Sequence, residues 1–171
     1  MQAALSAATA RLSSAEVLEG YQFELVSQDL KRAKDGLSST PLIDLDFEQA
    51  KADLVATWRG VCEVKWQISV SASRALERFD SARMCVNEIA KEAVSNAVRH
   101  GEAKLVSIAI ERPIDDLLTL VISNDGIAPR DSGTKGVGLQ MLDEVALSWS
   151  LDHNRGRGLT ELSVRLPLSA L

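Results

Sequence analysis

Apolar residues recur at helical spacing in some stretches of the chain and alternate with polar ones in others, and the changes of period divide it into elements. Residues 80–101, DSARMCVNEIAKEAVSNAVRHG, predict one long helix. Cys85, Ile89, Ala93 and Ala97 give it a stripe, Asp80 or Ser81 is placed to cap its start, and Gly101 to close it. Upstream, residues 2–36 carry helical patterning and no strand pattern. Ser13-Ser14-Ala15-Glu16 has the form of a capping box, and Val17, Tyr21, Leu25 and Leu30 make a partial stripe too thin to bury its own face. The breaker cluster Gly36–Pro41 marks a boundary. Leu42–Gly60 resumes as a helix, with Phe47, Ala50, Leu54 and Trp58 on one side and Gly60 as its stop.

The period then drops to that of a strand. Cys62, Val64, Trp66, Ile68 and Val70 alternate, and the long helix follows directly. Val106, Ile108 and Ile110 predict a second strand, Pro113–Asp116 a turn, and Leu117–Ile122 a third strand, the pair forming a hairpin. Ser123–Gly138 is a glycine-rich loop of a length that is often a functional lid. A short helix over Gly138–Ala146, a strand through Leu147, Trp149 and Leu151, a turn at His153–Gly158, and a strand through Leu162, Val164 and Leu166 complete the chain. The expected fold is an α+β two-layer sandwich. A mixed, mostly antiparallel sheet is covered on one face by helices and preceded by an N-terminal helical segment. The expected division is 1–40 and 41–171.

Composition narrows this little. With 171 residues, 46% of them apolar and 25% charged, the chain is long enough to bury a core. A net charge of −5 argues against a general nucleic-acid binder. Cys62 and Cys85 fall in apolar settings and read as reduced thiols in core packing, consistent with a cytoplasmic protein. No apolar run reaches membrane-spanning length, so no membrane contact is expected of this stretch.

The chemistry gathers in three places. Glu92, Asn96, Arg99 and His100 form a polar stripe beside the apolar one on the long helix, where polar groups call for a partner. Asn124-Asp125-Gly126 follows a strand, where an amide or carboxylate can meet the edge of a base. Gly133–Gly138, GTKGVG, precedes a helix start, where glycines let backbone amides approach an anion. A side-chain oxygen on the long helix can complete the shell of Mg2+ when phosphates and water supply the rest. Together these describe a site for a nucleoside triphosphate with magnesium. Taken singly, each also reads as an ordinary turn, loop or solvated helix face.

The order and spacing of the three resemble the ATP-binding (Bergerat-type) domain of the GHKL superfamily. NEIAKEAVSNAVRH resembles the N box of sensor histidine kinases of the class that pairs with helix-turn-helix response regulators. VISNDGIAP resembles the first glycine box, GTKGVGLQML the second, and GRGLTELSVRLPL the closing segment. The resemblance covers residues 42–168. It implies a histidine kinase that uses ATP and Mg2+, with Glu92 as catalytic base and Asn96 as magnesium ligand. It further implies ATP contacts from Asn96, Arg99, His100, Asn124, Asp125, Gly126, Lys135, Gly136, Val137, Gly138, Leu139 and Thr160. The family's adenine-reading Asp is Asn124 here, the second glycine of that box is Ala128, and MLDEVALSWSL replaces the usual Gly-Gly.

Neither histidine lies in residues 2–36, which resemble the end of a dimerisation hairpin. The expectation is therefore a fragment that lacks the phosphoacceptor, with a response regulator as partner and a homodimer formed through its N-terminal helices. His153 reads as a solvated turn residue. The LDEV segment leaves open a regulator of the anti-sigma-factor kinase type, and Asn124 with Ala128 leaves open a degenerate nucleotide-binding scaffold.

Overall fold

The computed structural model describes residues 46–114, 116–128 and 137–168, with the side chains of 137–140 left out of account. The expected segment 1–40 lies outside the described residues. Helix α1 (Phe47–Trp58) starts at Asp46, whose carboxylate accepts from the Glu48 N–H at 3.0 Å. It stops where Gly60 turns the chain at φ 81°. Strand β1 (Glu63–Ile68) leads through Ser69 into α2 (Val70–Arg78), and Phe79 joins that helix to α3 (Asp80–Gly101). Then come β2 (Leu105–Ile114), β3 (Leu117–Asn124), α4 (Val137–Val145), β4 (Ser148–Asn154) and β5 (Leu159–Pro167).

The five strands form one mixed sheet in the order β1-β2-β3-β5-β4. Strands β1 and β2 run parallel, as the long crossover through α2 and α3 requires, and the other pairs are antiparallel. One face of the sheet carries Val106, Ile108 and Ile110 of β2, Leu118, Leu120 and Ile122 of β3, and Val164 and Leu166 of β5, all buried. Most of the alternate positions, among them Ser107, Thr119, Ser163 and Arg165, are only partly covered or exposed. This is the α+β two-layer arrangement the alternation predicts. Burying each large aliphatic side chain contributes roughly 1.5–3 kcal/mol. The helix laid over that face presents small residues, Ala82, Ala90 and Ala97, beside Val86, Ile89, Val94 and Val98, so backbone and sheet approach closely.

Four local expectations are corrected. The alternation through Val70 does not extend β1. Ser69 Oγ accepts from the Ala72 N–H at 3.2 Å and opens α2, an additional helix, leaving Val70 70% exposed. The period-two pattern ran on because Val70 follows Ile68 by two, while the capping serine between them was the stronger signal. The long helix has Phe79 at its N-cap, with no side-chain cap, because α2 ends only one residue earlier. Asp80 sits inside the first turn, where a carboxylate suits the helix dipole, and pairs with Arg83 at 2.8 Å. At the other end Gly101 is still helical, and Glu102 takes the left-handed position at φ 55°. Finally, the buried stripe of α3 is centred on Val86, Ala90, Val94 and Val98. Cys85 and Ala93 lie half-buried on its flank, and Ile89 and Ala97 are shared between the two rows.

No described helix is long and apolar enough to cross a membrane. Cys62, buried just ahead of β1, has its thiol pushed up to about 11, first by burial and then by the negative charge of Asp125. The folded state therefore keeps the proton that the unfolded chain gives up near pH 9. Stability from this group is complete below pH 9 and is lost as the pH climbs towards 11. Alkylation of the native protein at Cys62 should be negligible at pH 8, rise steeply between pH 9 and 11, and be rapid at any of these values in urea, as followed by mass spectrometry.

Candidate nucleotide site

A small cleft of about 40 Å³, open to solvent, lies between α3, α4 and β5. Ile89, Glu92, Ala93 and Asn96 line it from α3, Met141 and Leu142 from α4, and Leu162 from the sheet. The flanking stripe of α3 thus forms the apolar wall of the cleft, and the polar stripe borders that wall. Asn96 Nδ2 donates to Glu92 Oε1 at 3.0 Å, one helical turn apart. A carboxylate can only accept, so this contact fixes the amide: its nitrogen faces Glu92 and its Oδ1 faces elsewhere as an acceptor. Arg99 and His100, in the last turn, are exposed and do not line the cleft.

Two residues along β5 from Leu162, roughly 7 Å away, Thr160 occupies the same face of the sheet. It stands directly opposite Asn124 of β3 on one side and His153 of β4 on the other. Thr160 is buried, and its Oγ1 lies 2.8 Å from His153 Nδ1. His153 is half-buried in β4, which corrects the expectation of a solvated turn. The alternation Leu147, Trp149, Leu151 already pointed to it, because one further step of two reaches residue 153.

The end of β3 is tied to the end of α3. The Ile127 N–H donates to the Gly101 carbonyl at 2.8 Å. Asp125 Oδ1 accepts from the backbone N–H groups of Lys104 and Leu105 at 2.8 and 2.9 Å. Asn124 Oδ1 accepts from the Gly126 N–H at 3.0 Å. A Cβ on Gly126 would lie 2.5 Å from the Gly101 carbonyl oxygen. Glycine at 126 is therefore required by the helix end, whatever else passes near it. The Asp125 carboxylate braces the loop between α3 and β2.

Of the remaining candidates, Lys135 and Gly136 fall outside the described residues. Val137, Gly138 and Leu139 form the first turn of α4. That helix is held to the sheet edge by Trp149, whose indole N–H donates to Asp143 Oδ1 at 3.0 Å. The MLDEVALSWS stretch therefore carries an anchor for the helix that walls the cleft. Sequence reasoning did not find Met141, Leu142 or Leu162 as part of the site, since each looked like ordinary core patterning.

Solved structures that resemble this one include two of one bacterial sensor. The blue-light activated histidine kinase EL346 of Erythrobacter litoralis aligns with a TM-score of 0.50 at 15% identity, over 88% of this chain and 55% of that one. The histidine kinase domain of the same protein aligns with a TM-score of 0.51 at 15% identity, over 98% of this chain and 96% of the domain. The chain has the fold of that histidine kinase domain. It spans about half the length of the larger of the two proteins. No protein-family model matches it, and no curated protein matches it in sequence.

The joint between Gly101 and Gly126 sets how α3 lies on the sheet. Gly126→Ala should lower stability by about 1–3 kcal/mol, because the clash is with backbone and not with a side chain that can move aside. Gly156→Ala, whose added carbon meets nothing nearer than Asn154 Oδ1 at 3.4 Å, should change stability little. Urea denaturation of the two variants checks the contrast.

Proposed function

We propose that this chain is the ATP-binding catalytic domain of a sensor histidine kinase, which binds Mg-ATP and passes its terminal phosphoryl group to a histidine. The observation that carries the reading is the Glu92–Asn96 pair, half-buried and exposed respectively, lining the cleft that α4 also lines. The fold supports it, and the residues supply the chemistry. Among the described residues, no cluster of three or more His, Cys, Asp or Glu is arranged to hold a metal by itself. A cation in this cleft would take Asn96 Oδ1, turned outward by the bond to Glu92, and complete its shell from phosphate and water oxygens. Such an ion neutralises charge on the transferring phosphoryl group.

The chain's own groups then divide the work. Glu92 orients Asn96 and has a second carboxylate oxygen with which to accept a proton from an attacking group. Ile89, Ala93, Met141, Leu142 and Leu162 exclude water from one side of the cleft. Arg99 and His100, one turn further along α3, add positive or polar groups towards its C-terminal end. Asn124 and Thr160 offer hydrogen-bonding groups to a base at the adjoining end of the sheet. The glycine-rich stretch that ends at Gly138, with Lys135 and Gly136, lies next in sequence to the start of α4. A helix start favours phosphate. Transfer of this kind depends mainly on positioning and charge neutralisation. A response regulator as the onward acceptor, and a homodimer formed through the N-terminal residues, belong to the same proposal.

Calorimetric titration tests the reading. Mg-ATP should bind with a one-to-one stoichiometry, and omission of Mg2+ should weaken the binding. Asn96→Ala should abolish that metal dependence and cost about tenfold or more in affinity for Mg-ATP. Asn96→Asp, which keeps an oxygen at the same place, should retain the metal dependence. Absence of binding at about 1 mM nucleotide, the concentration that half-saturates an interaction of about −4 kcal/mol, would overturn the proposal.

A further inference from the structure

His153, Thr160 and Asn124 form a row across three strands at one end of the sheet, on the helix-covered face. The row adjoins the cleft through Leu162, the next residue of β5 on that face. Thr160 is only 5% exposed, so the partner of its hydroxyl matters. A hydroxyl has one proton to give and lone pairs with which to receive. The His153 ring nitrogen 2.8 Å away takes one of these roles and so decides which one Thr160 keeps for a ligand. With Nδ1 bare, the Thr160 O–H donates to it and Thr160 presents lone pairs. With Nδ1 protonated, the Thr160 proton is turned to another acceptor. Asn124 is fixed in a similar way: its Oδ1 accepts from the Gly126 N–H, which leaves Nδ2 to face away as a donor.

A donor from Asn124 beside a lone pair from Thr160 matches the edge of a 6-aminopurine, whose ring N1 accepts and whose exocyclic amine donates. A 6-oxopurine presents the opposite pair, a ring N–H and a carbonyl oxygen. We propose that His153 is a specificity-determining positioning residue, which holds the Thr160 hydroxyl as an acceptor and so favours adenine over 6-oxopurine nucleotides. This rests on the nucleotide reading above and adds to it a residue outside the motifs that suggested it.

The test compares ATP, inosine triphosphate and inorganic triphosphate, each with Mg2+, on the full chain. His153→Phe keeps the ring and removes the nitrogen. It should weaken ATP binding by about fivefold to tenfold, the effect of one uncharged hydrogen bond, and draw the ATP-to-inosine triphosphate ratio towards one. Affinity for inorganic triphosphate should not change. His153→Asn, which restores a polar atom near the position of Nδ1, should recover most of the preference. Thr160→Val combined with His153→Phe should bind ATP no more weakly than Thr160→Val alone. An equal loss for ATP and inorganic triphosphate, or an unchanged ATP-to-inosine triphosphate ratio, overturns the role of His153 while leaving the nucleotide site in place. Failure of the unmodified chain to bind either nucleotide overturns both.

Discussion

The arrangement of this molecule depends on a contact between two stretches of backbone. The last turn of α3 meets the chain just after β3 so closely that residue 126 has no room for a side chain. The carbonyl of Gly101 accepts from the N–H of Ile127, and Asp125 clamps the two amides that lead from the helix into β2. A helix on a greasy sheet face can slide or roll at little cost, because burial is non-directional. Hydrogen bonds at its end are directional and remove that freedom. With the C-terminal end of α3 pinned, the turns that carry Glu92 and Asn96 fall beside α4 and Leu162, and the buried row falls on β2 and β3.

The pinning has a chemical consequence. The polar residues of α3 sit on the border between core and cleft, where an apolar wall lies on one side and open space on the other. Glu92 is half-buried there, and it holds Asn96 in one of its two amide orientations. The same device recurs at the end of the sheet. The Gly126 N–H orients Asn124, and His153 engages Thr160. In each case a neighbouring group sets the donor or acceptor that a ligand would meet. Polar atoms prepared in this way do not have to reorganise when a ligand arrives, which is where much of the strength of such sites originates.

Much of the fold was legible in the sequence because period two and period 3.6 were clean. The strands through Val106–Ile110, Leu117–Ile122 and Leu162–Leu166 needed only alternation, and α3 was long enough to be unmistakable. The errors came at junctions. Between Ile68 and Asp80 two helices and a strand follow one another with single residues between them, so local caps compete with periodicity and Val70 fits both patterns. Of the candidate site, Glu92 and Asn96 were legible as neighbours on one helix face, and the structure joins them by a hydrogen bond. The tight approach at Gly126 and the brace by Asp125 were not legible, since both depend on residues some twenty positions away in sequence. The fate of His153 was decided by a strand running three residues beyond its last aliphatic position, Leu151, in a segment rich in turn formers.

The central claim is that the cleft between α3 and α4 receives the metal-bound phosphates of a nucleotide, with its base lying towards Asn124 and Thr160. Amide NMR with ATP and substoichiometric Mn2+ in place of Mg2+ measures this directly, because the paramagnetic ion broadens the signals nearest to it. The account predicts broadening centred on residues 92–96, falling off along α3, with shifts but less broadening at 124–126 and 160, and no effect at β1. Broadening confined to the exposed sheet face, or none at saturating nucleotide, would contradict it.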